Sequence, residues 1–422
     1  MLCEQLVLSG EPRVLAAQLR ELVPAAATVG EAVAEILAQV RGHGDAAVVD
    51  YTRRFDTGGA DPKPLVVTDN ELTQARETLD RRIEAGLSTA IANVRRVAEA
   101  GLNDDREVDF GGHRVTLREA PVERAAVYVP GGRAPYPSTV VMGVVTARVA
   151  GVEHVVVCAP PGLDGDIDPT VLAACRLAGA DAVYRVGGAQ AIGALAYGTQ
   201  SIAPVDVIVG PGNLYVQEAK RQVSGHVGID GFAGPSDLVV IADPGTRPEP
   251  LALDLLAQAE HGPGTLVVAI SPSRDLLDAL STRLAEAPDT GAVARLVVVP
   301  NSKAALALAQ ALAPEHLQLV GADAEALAPR TTHAGAVFIG DTGATAFGDY
   351  IAGSNHVLPT GGAARFASAL NPAHFRRRFT EARISEAAAR ELAQLAAPVA
   401  RAEGFEVHAR SMEARIRDNG SR

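Results

Sequence analysis

A-A-V-Y-V-P (125–130), H-V-V-V-C-A (154–159), A-V-Y-R-V-G (182–187) and V-D-V-I-V-G (205–210) recur through the middle of this chain, with glycines, prolines and Ala-rich stretches between them. Their starts fall roughly 25–30 residues apart, the length of a strand–helix–strand unit. Near-continuous Val, Ile and Ala runs are what parallel strands need when helices cover both faces of their sheet, because neither face meets water. The rhythm resumes with L-V-V-I-A-D (238–243), T-L-V-V-A-I (265–270), R-L-V-V-V-P (295–300), L-Q-L-V (317–320) and A-V-F-I-G (336–340). The pattern predicts an α/β protein with two tandem doubly wound, Rossmann-like parallel-sheet domains, joined at the turn-rich G-F-A-G-P-S-D (231–237).

Outward from this centre the period lengthens. V-L-A-A-Q-L-R-E-L-V (14–23) and V-G-E-A-V-A-E-I-L-A-Q-V (29–40) carry apolar residues at helical spacing, so residues 11–102 read as helical. A charge-rich helix is expected after Asp69, with Asp69 or Asn70 as its N-cap. Beyond Pro372 the chain reads as helical and polar. The resulting domain expectation is an N-terminal helical segment (1–24), a helical part (25–124) of a first α/β domain completed by 238–368, a second α/β domain (125–237), and a helical C-terminal tail (369–422). That tail is too short to hold a core of its own.

The 422 residues, 47% hydrophobic and 21% charged, can bury large cores. A net charge of −12 argues against a nucleic-acid surface. The most apolar stretch, residues 138–159, is interrupted by Arg148, Glu153 and His154, which argues against a membrane span. The N-terminus lacks the basic and apolar regions of a signal peptide, and Cys3, Cys158 and Cys175 have no C-x-x-C spacing, so a reducing cytoplasm is expected. Cys158 reads as core. Lys63, Lys220 and Lys303 stand in no reactive constellation, and His43, His113, His154, His226, His333 and His374 read as solvent-facing or satisfied residues.

Three motifs and three glycine-rich turns are candidates to carry chemistry. In D-L-L-A-Q-A-E-H-G-P-G (254–264), Asp254, Gln258 and His261 share one helix face at i, i+4 and i+7, and Gly262-Pro263 ends the helix. The face suits a metal, or equally a capped amphipathic helix. Glu315 and His316 in P-E-H-L-Q-L-V (314–320) put a carboxylate and an imidazole before a strand, as acid–base work requires, although a surface loop reads the same way. F-G-D-Y-I-A-G-S-N-H-V-L-P-T (347–360) sets Asp349 and His356 in a polar loop beyond a strand end, where α/β proteins place their sites. Y-V-P-G-G-R-A-P-Y-P-S-T (128–139), V-G-G-A-Q-A-I-G (186–193) and V-G-P-G-N-L-Y (209–215) are strand–turn–helix junctions whose backbone N–H groups suit a phosphate, yet none matches G-x-G-x-x-G.

Together these blocks resemble the histidinol dehydrogenase family over essentially the whole chain. A-G-P-S-D-L-V-V-I-A-D, D-L-L-A-Q-A-E-H, P-E-H-L, G-D-Y-I-A-G-S-N-H-V-L-P-T and the terminal E-G-F-E-V-H match it in order and spacing. The resemblance implies two successive NAD-dependent oxidations, of L-histidinol to an enzyme-held aldehyde and then to L-histidine. It implies zinc ligands at Gln258, His261, Asp349 and His408, and an acid–base pair at Glu315 and His316. It further implies substrate contacts at Ser236, His356 and Glu403 together with the four zinc ligands and His316, and NAD contacts at Tyr128, Gln190 and Asn213. A homodimer with shared sites follows from the family's C-terminal tail.

Two positions depart from the family pattern: Asp237 stands where Glu is usual, and Thr146 where Pro is common. The Thr146 change is expected to affect only a helix, which should form more easily without Pro. Alternatives are a sister dehydrogenase for another small alcohol such as a sulfonated diol, a zinc hydrolase using Glu315 to activate water, and a silent structural paralogue.

Overall fold

The structure is a computed structural model that describes residues 1, 3–23, 29–131, 134–232 and 234–416. The expected boundary at residue 24 and parts of two quoted loops (Gly132, Arg133 and Ala233) lie outside the described residues. Strands in chain order are β1 (Cys3–Val7), β2 (Arg106–Asp109), β3 (His113–Pro121), β4 (Arg124–Tyr128), β5 (His154–Ala159), β6 (Ala182–Arg185) and β7 (Val207–Val209). They continue with β8 (Gly228–Ile229), β9 (Asp237–Ala242), β10 (Leu266–Ser271), β11 (Val293–Val298), β12 (His316–Val320), β13 (Ala336–Ile339) and β14 (Arg376–Ile384). The chain forms two compact units, Met1–Gly101 with Val122–Phe375, and Leu102–Pro121 with Arg376–Arg422.

The first unit holds two parallel sheets, ordered β1-β11-β10-β9-β12-β13 and β6-β5-β4-β7-β8. In each, the earliest strand of its central run, β9 or β4, lies inside the sheet, and the strand order reverses beside it. Every residue of β9, β10 and β12 is buried, which explains their unbroken apolar reading. Alternate residues serve opposite faces. Ala125 and Val127 of β4 pack with Met142 and Val171, whereas Ala126 and Tyr128 pack with Val33, Ile36 and Ile192. Val239 and Ile241 of β9 pack with Leu306 and Leu308, while Leu238 and Val240 pack with Leu251 and Leu280.

Local sequence sets the helix ends. Asn213 caps the helix Leu214–Val223 through Val216 N–H, Asp168 caps Pro169–Ala178, and Asn301 caps Ser302–Leu312. The N-cap expected at Asp69 or Asn70 is instead Thr68, whose hydroxyl takes Glu71 N–H while Glu71 reaches back to Thr68 N–H. This capping box satisfies two end donors at once, which neither expected residue could do.

Three further expectations change. The N-terminal segment opens with a strand: β1 extends the six-stranded sheet beside β11, ahead of the helix Pro12–Glu21. The helices Gly30–His43, Asp45–Phe55 and Arg81–Ala100 pack on the five-stranded sheet, whereas the sequence reading attached them to residues 238–368. Val33, Ile36, Leu37 and Val40 form one apolar stripe there, each worth roughly 1.5–3 kcal/mol when buried. A stripe fixes which helix face is covered but leaves the covering sheet open.

The C-terminal tail is not wholly helical. In the second unit, R-R-R-F-T-E-A-R-I forms β14, which pairs antiparallel with β3, and β3 pairs with β2. Glu386–Ala402 and Glu406–Glu413 follow as helices, joined where Gly404 adopts φ +84° and tied by Arg401 to Glu406 and Glu413. No described helix is long and apolar enough to cross a membrane.

Candidate active site

Ser236 and Asp237 lead into β9, and Glu315 and His316 lead into the neighbouring β12, where His316 lies opposite Leu238. Glu315 is buried and triply held. Ser236 Oγ donates to its Oε2 at 2.5 Å, Asp237 N–H donates to the same oxygen at 3.1 Å, and Glu315 N–H donates to Asp237 Oδ1 at 2.8 Å. Gln258 Nε2 donates to Ser236 Oγ at 2.6 Å, so the helix Pro248–Ala259 is tied to the same carboxylate. Arg20 Nη1 donates to Asp237 Oδ2 at 2.6 Å and Nη2 to Leu312 O at 2.6 Å.

His316 lies 3.8 Å from Glu315 Oε2 through Nδ1 and 3.5 Å from Asp349 Oδ1 through Nε2. Both ring nitrogens are buried without a hydrogen bond, an arrangement that a substrate hydroxyl would satisfy. Burial pulls the imidazole down, but the carboxylates of Glu315, Asp349 and Asp237 outweigh it and raise it to about 9. Burial likewise pushes the Glu315 carboxyl up, against the lowering effect of His316.

His356 is the opposite case. Burial lowers it, Asp349 resists, and the positive charges of His316 and His261 lower it further, so its pKa falls below that of an ordinary imidazole. Its Nδ1 faces Asp349 O at 2.8 Å and its Nε2 faces Thr139 Oγ1 at 3.2 Å. Thr139 belongs to the segment after β4, so this contact joins the two sheets' sites. Thr146, expected to matter only to its helix, instead bears on this loop. It follows a π-helical turn (Val141–Val145), and Asn355 Nδ2 donates to both Met142 O and Thr146 Oγ1, next to His356.

The expected face of Asp254, Gln258 and His261 divides in use. Asp254 accepts from Gln318 Nε2 at 2.6 Å, while Gln258 and His261 turn to the acid–base cluster. His261 Nδ1 meets Gln258 O at 2.9 Å. The cluster sits at the amino ends of β9 and β12, not beyond carboxyl ends as the loop reading had it, because the polypeptide enters both strands from this side. Glu403 and His408 belong to the second unit.

Tyr128, Gln190 and Asn213 line one cavity of about 1370 Å³ at the carboxyl ends of β4–β7, where the strand order reverses. It exceeds the ~300–1,000 Å³ usual for one small ligand. Gly188 N–H donates to the buried Tyr128 hydroxyl at 3.1 Å, and burial pushes that phenol up. Gln190 Nε2 lies 3.5 Å from Asp56 Oδ2, and burial raises Asp56 to about 6. A Cβ on Gly131 or Gly187 would meet Pro160 at 2.3 or 2.4 Å, so only glycine lets these turns close around the cavity.

Asp56, Thr139 and Arg20 escaped the sequence reading. Thr139 lay inside a quoted loop, but nothing local linked Arg20 to a site 217 residues away. Lys220 was set aside, yet it is among the most buried side chains. Cys158 is buried in the core as read.

Residues 21–416 match the family model described as histidinol dehydrogenase. The histidinol dehydrogenase of Parasynechococcus marenigrum is 44% identical over 396 residues, 90% of each chain. That of Cereibacter sphaeroides is 45% identical over 404 residues, 92% of each chain. The crystal structure of histidinol dehydrogenase from Elizabethkingia anophelis superposes with a TM-score of 0.91 at 29% identity, covering 98% of each chain. Fold, the buried Glu315–His316 pair and these likenesses together define an α/β oxidoreductase. The chain belongs to the histidinol dehydrogenase family.

Proposed function

We propose that this chain oxidises L-histidinol to L-histidine through L-histidinaldehyde in two NAD-dependent steps, as a zinc-containing cytoplasmic homodimer whose two sites are shared between subunits. The observation that carries the reading is Glu315, a buried carboxylate clasped by Ser236 and Asp237 beside His316. The named relatives favour histidinol over another small alcohol, such as a sulfonated diol. In this reading the two sheets are two doubly wound modules, one bearing the cofactor and the other the acid–base pair.

When bound, NAD would accept hydride and zinc would orient the substrate. In its neutral form, which gains as pH rises toward about 9, His316 takes the hydroxyl proton as hydride leaves the alcohol carbon. Glu315 would then take a proton from water as its oxygen bonds to the aldehyde carbon while His316 returns its proton to the carbonyl oxygen. The hydrate would give its hydride to a second NAD and a hydroxyl proton to His316, and the acid so formed would lose its proton to solvent as a carboxylate. A carboxyl raised by burial is the stronger base for that water. Ser236, His356 and Glu403 complete the substrate's surroundings.

The amide oxygen of Gln258, the imidazole of His261 and the carboxylate of Asp349 suit zinc chemically. Gln258 commits its amide nitrogen to Ser236, which leaves its oxygen as the donor end. Among the described residues no three His, Cys, Asp or Glu side chains gather as a metal site. The set therefore depends on the amide and on a fourth donor, for which His408 is the candidate. Tyr128, Gln190 and Asn213 would hold NAD, with backbone N–H groups of the helix Gly188–Tyr197 available to its phosphates.

The test is NADH production from L-histidinol with and without a chelator, circular dichroism being recorded on the same samples. Turnover that stops on chelation while the spectrum holds supports the reading. No NADH with metal present overturns the activity, and unfolding on chelation overturns the orienting role.

A further inference from the structure

Lys220 lies on the helix Leu214–Val223 with its side chain 1% exposed. Its Nζ donates to Gly210 O at 2.5 Å and to Asp230 Oδ1 at 2.7 Å. Asp230, just past β8, uses its other oxygen to accept Gly210 N–H at 2.6 Å. One buried ion pair thus grips both backbone polar groups of a single glycine. Gly210 has φ +113°, and a Cβ there would lie 2.1 Å from Tyr128 O, so the turn is pressed against the end of β4. Three residues on, Asn213 caps the helix, and both Asn213 and Tyr215 line the cavity beside Tyr128.

Burying an ammonium and a carboxylate is expensive, and a well-packed apolar pair of similar volume is often as stable or more so. Stability alone therefore gives no reason for charge here. What an apolar pair cannot do is hold a peptide N–H and C=O in place together. We propose that Lys220 and Asp230 are positioning residues for the cofactor, fixing the Gly210–Asn213 turn against Tyr128 so that the cavity is formed before NAD enters. The inference rests on the reading of this cavity as the NAD site.

The test is NADH binding, followed by nicotinamide fluorescence, which no tryptophan obscures in this chain. Lys220→Met alone leaves Asp230 buried and unpaired and so tests folding as much as binding. The informative variant is Lys220→Met with Asp230→Leu, which refills the space without charge. It leaves the buried Gly210 N–H and C=O without these partners, so it should unfold at a lower temperature than the parent but still fold cooperatively, and bind NADH at least tenfold more weakly. A stable double variant that binds NADH as the parent does would overturn the inference. A double variant that fails to fold would overturn it too, since the pair would then be structural. Asn213→Ala and Gln190→Ala separate the two readings: if neither weakens NADH binding, the cavity is not the NAD site. If they weaken it and the double variant does not, the cavity reading stands and the clamp falls.

Discussion

Asp237 and Glu315 hold each other twice, Asp237 N–H donating to Glu315 Oε2 at 3.1 Å and Glu315 N–H to Asp237 Oδ1 at 2.8 Å. The exchange spans the entry to neighbouring parallel strands, so the catalytic candidate is fixed by backbone and side chain together. It is completed from outside by Arg20, which is bound to the second oxygen of Asp237.

Arg20→Met should therefore destabilise the protein by about 2–4 kcal/mol, because it strands a buried carboxylate without its cation. Denaturant unfolding measures this. A loss below about 0.5 kcal/mol would show that the pair contributes nothing to the site's rigidity.

Glu315→Gln should impair aldehyde oxidation by about 10²–10⁴-fold and alcohol oxidation far less, since the amide keeps the shape but cannot take a proton from water. L-histidinol and L-histidinaldehyde should be supplied separately. Equal losses on the two substrates would contradict the division of labour with His316.

Asp56 makes stability depend on pH with a definite sign. Burial raises its carboxyl from an ordinary 3.8 to about 6. Below its unfolded value both states are protonated and the group is harmless; between there and about 6 the unfolded chain ionises while the folded one stays protonated, so stability falls as pH rises and levels off above about 6. That loss is about 1–2 kcal/mol once solvent screening is allowed for. Asp56→Asn should thus raise the unfolding temperature at pH 8 and leave it near the parent's at pH 4. The same gain at both pH values would mean that charge is not the cause.

A mixed-dimer experiment tests site sharing. His261→Ala and His408→Ala variants, each nearly inactive, are unfolded and refolded together. Random pairing makes half the dimers mixed, and in a shared arrangement each mixed dimer rebuilds one good site of two, so about a quarter of the parental activity should return. No recovery, with mixed dimers verified by mass spectrometry, would place each site within one chain.

The sequence by itself determined the nine inner and long strands of the two parallel sheets to within a residue or two, though not β1 or β8, because a strand covered on both faces must be largely apolar and such runs stand out. It also marked Gln258, His261, Glu315, His316, Asp349 and His356 as candidates by their residue types and spacing, and Ser236 through the family resemblance alone. Only the tertiary structure decided which sheet received the N-terminal helices, because burial of an apolar stripe is non-directional and any apolar face will answer it. It alone paired β14 with β3, two half-exposed strands whose charged residues hid their alternation. And it alone brought Arg20 to Asp237, Asp56 to Gln190 and Lys220 to Gly210. Such polar contacts depend on distances of a few ångströms between atoms, a quantity that spacing along the chain does not encode.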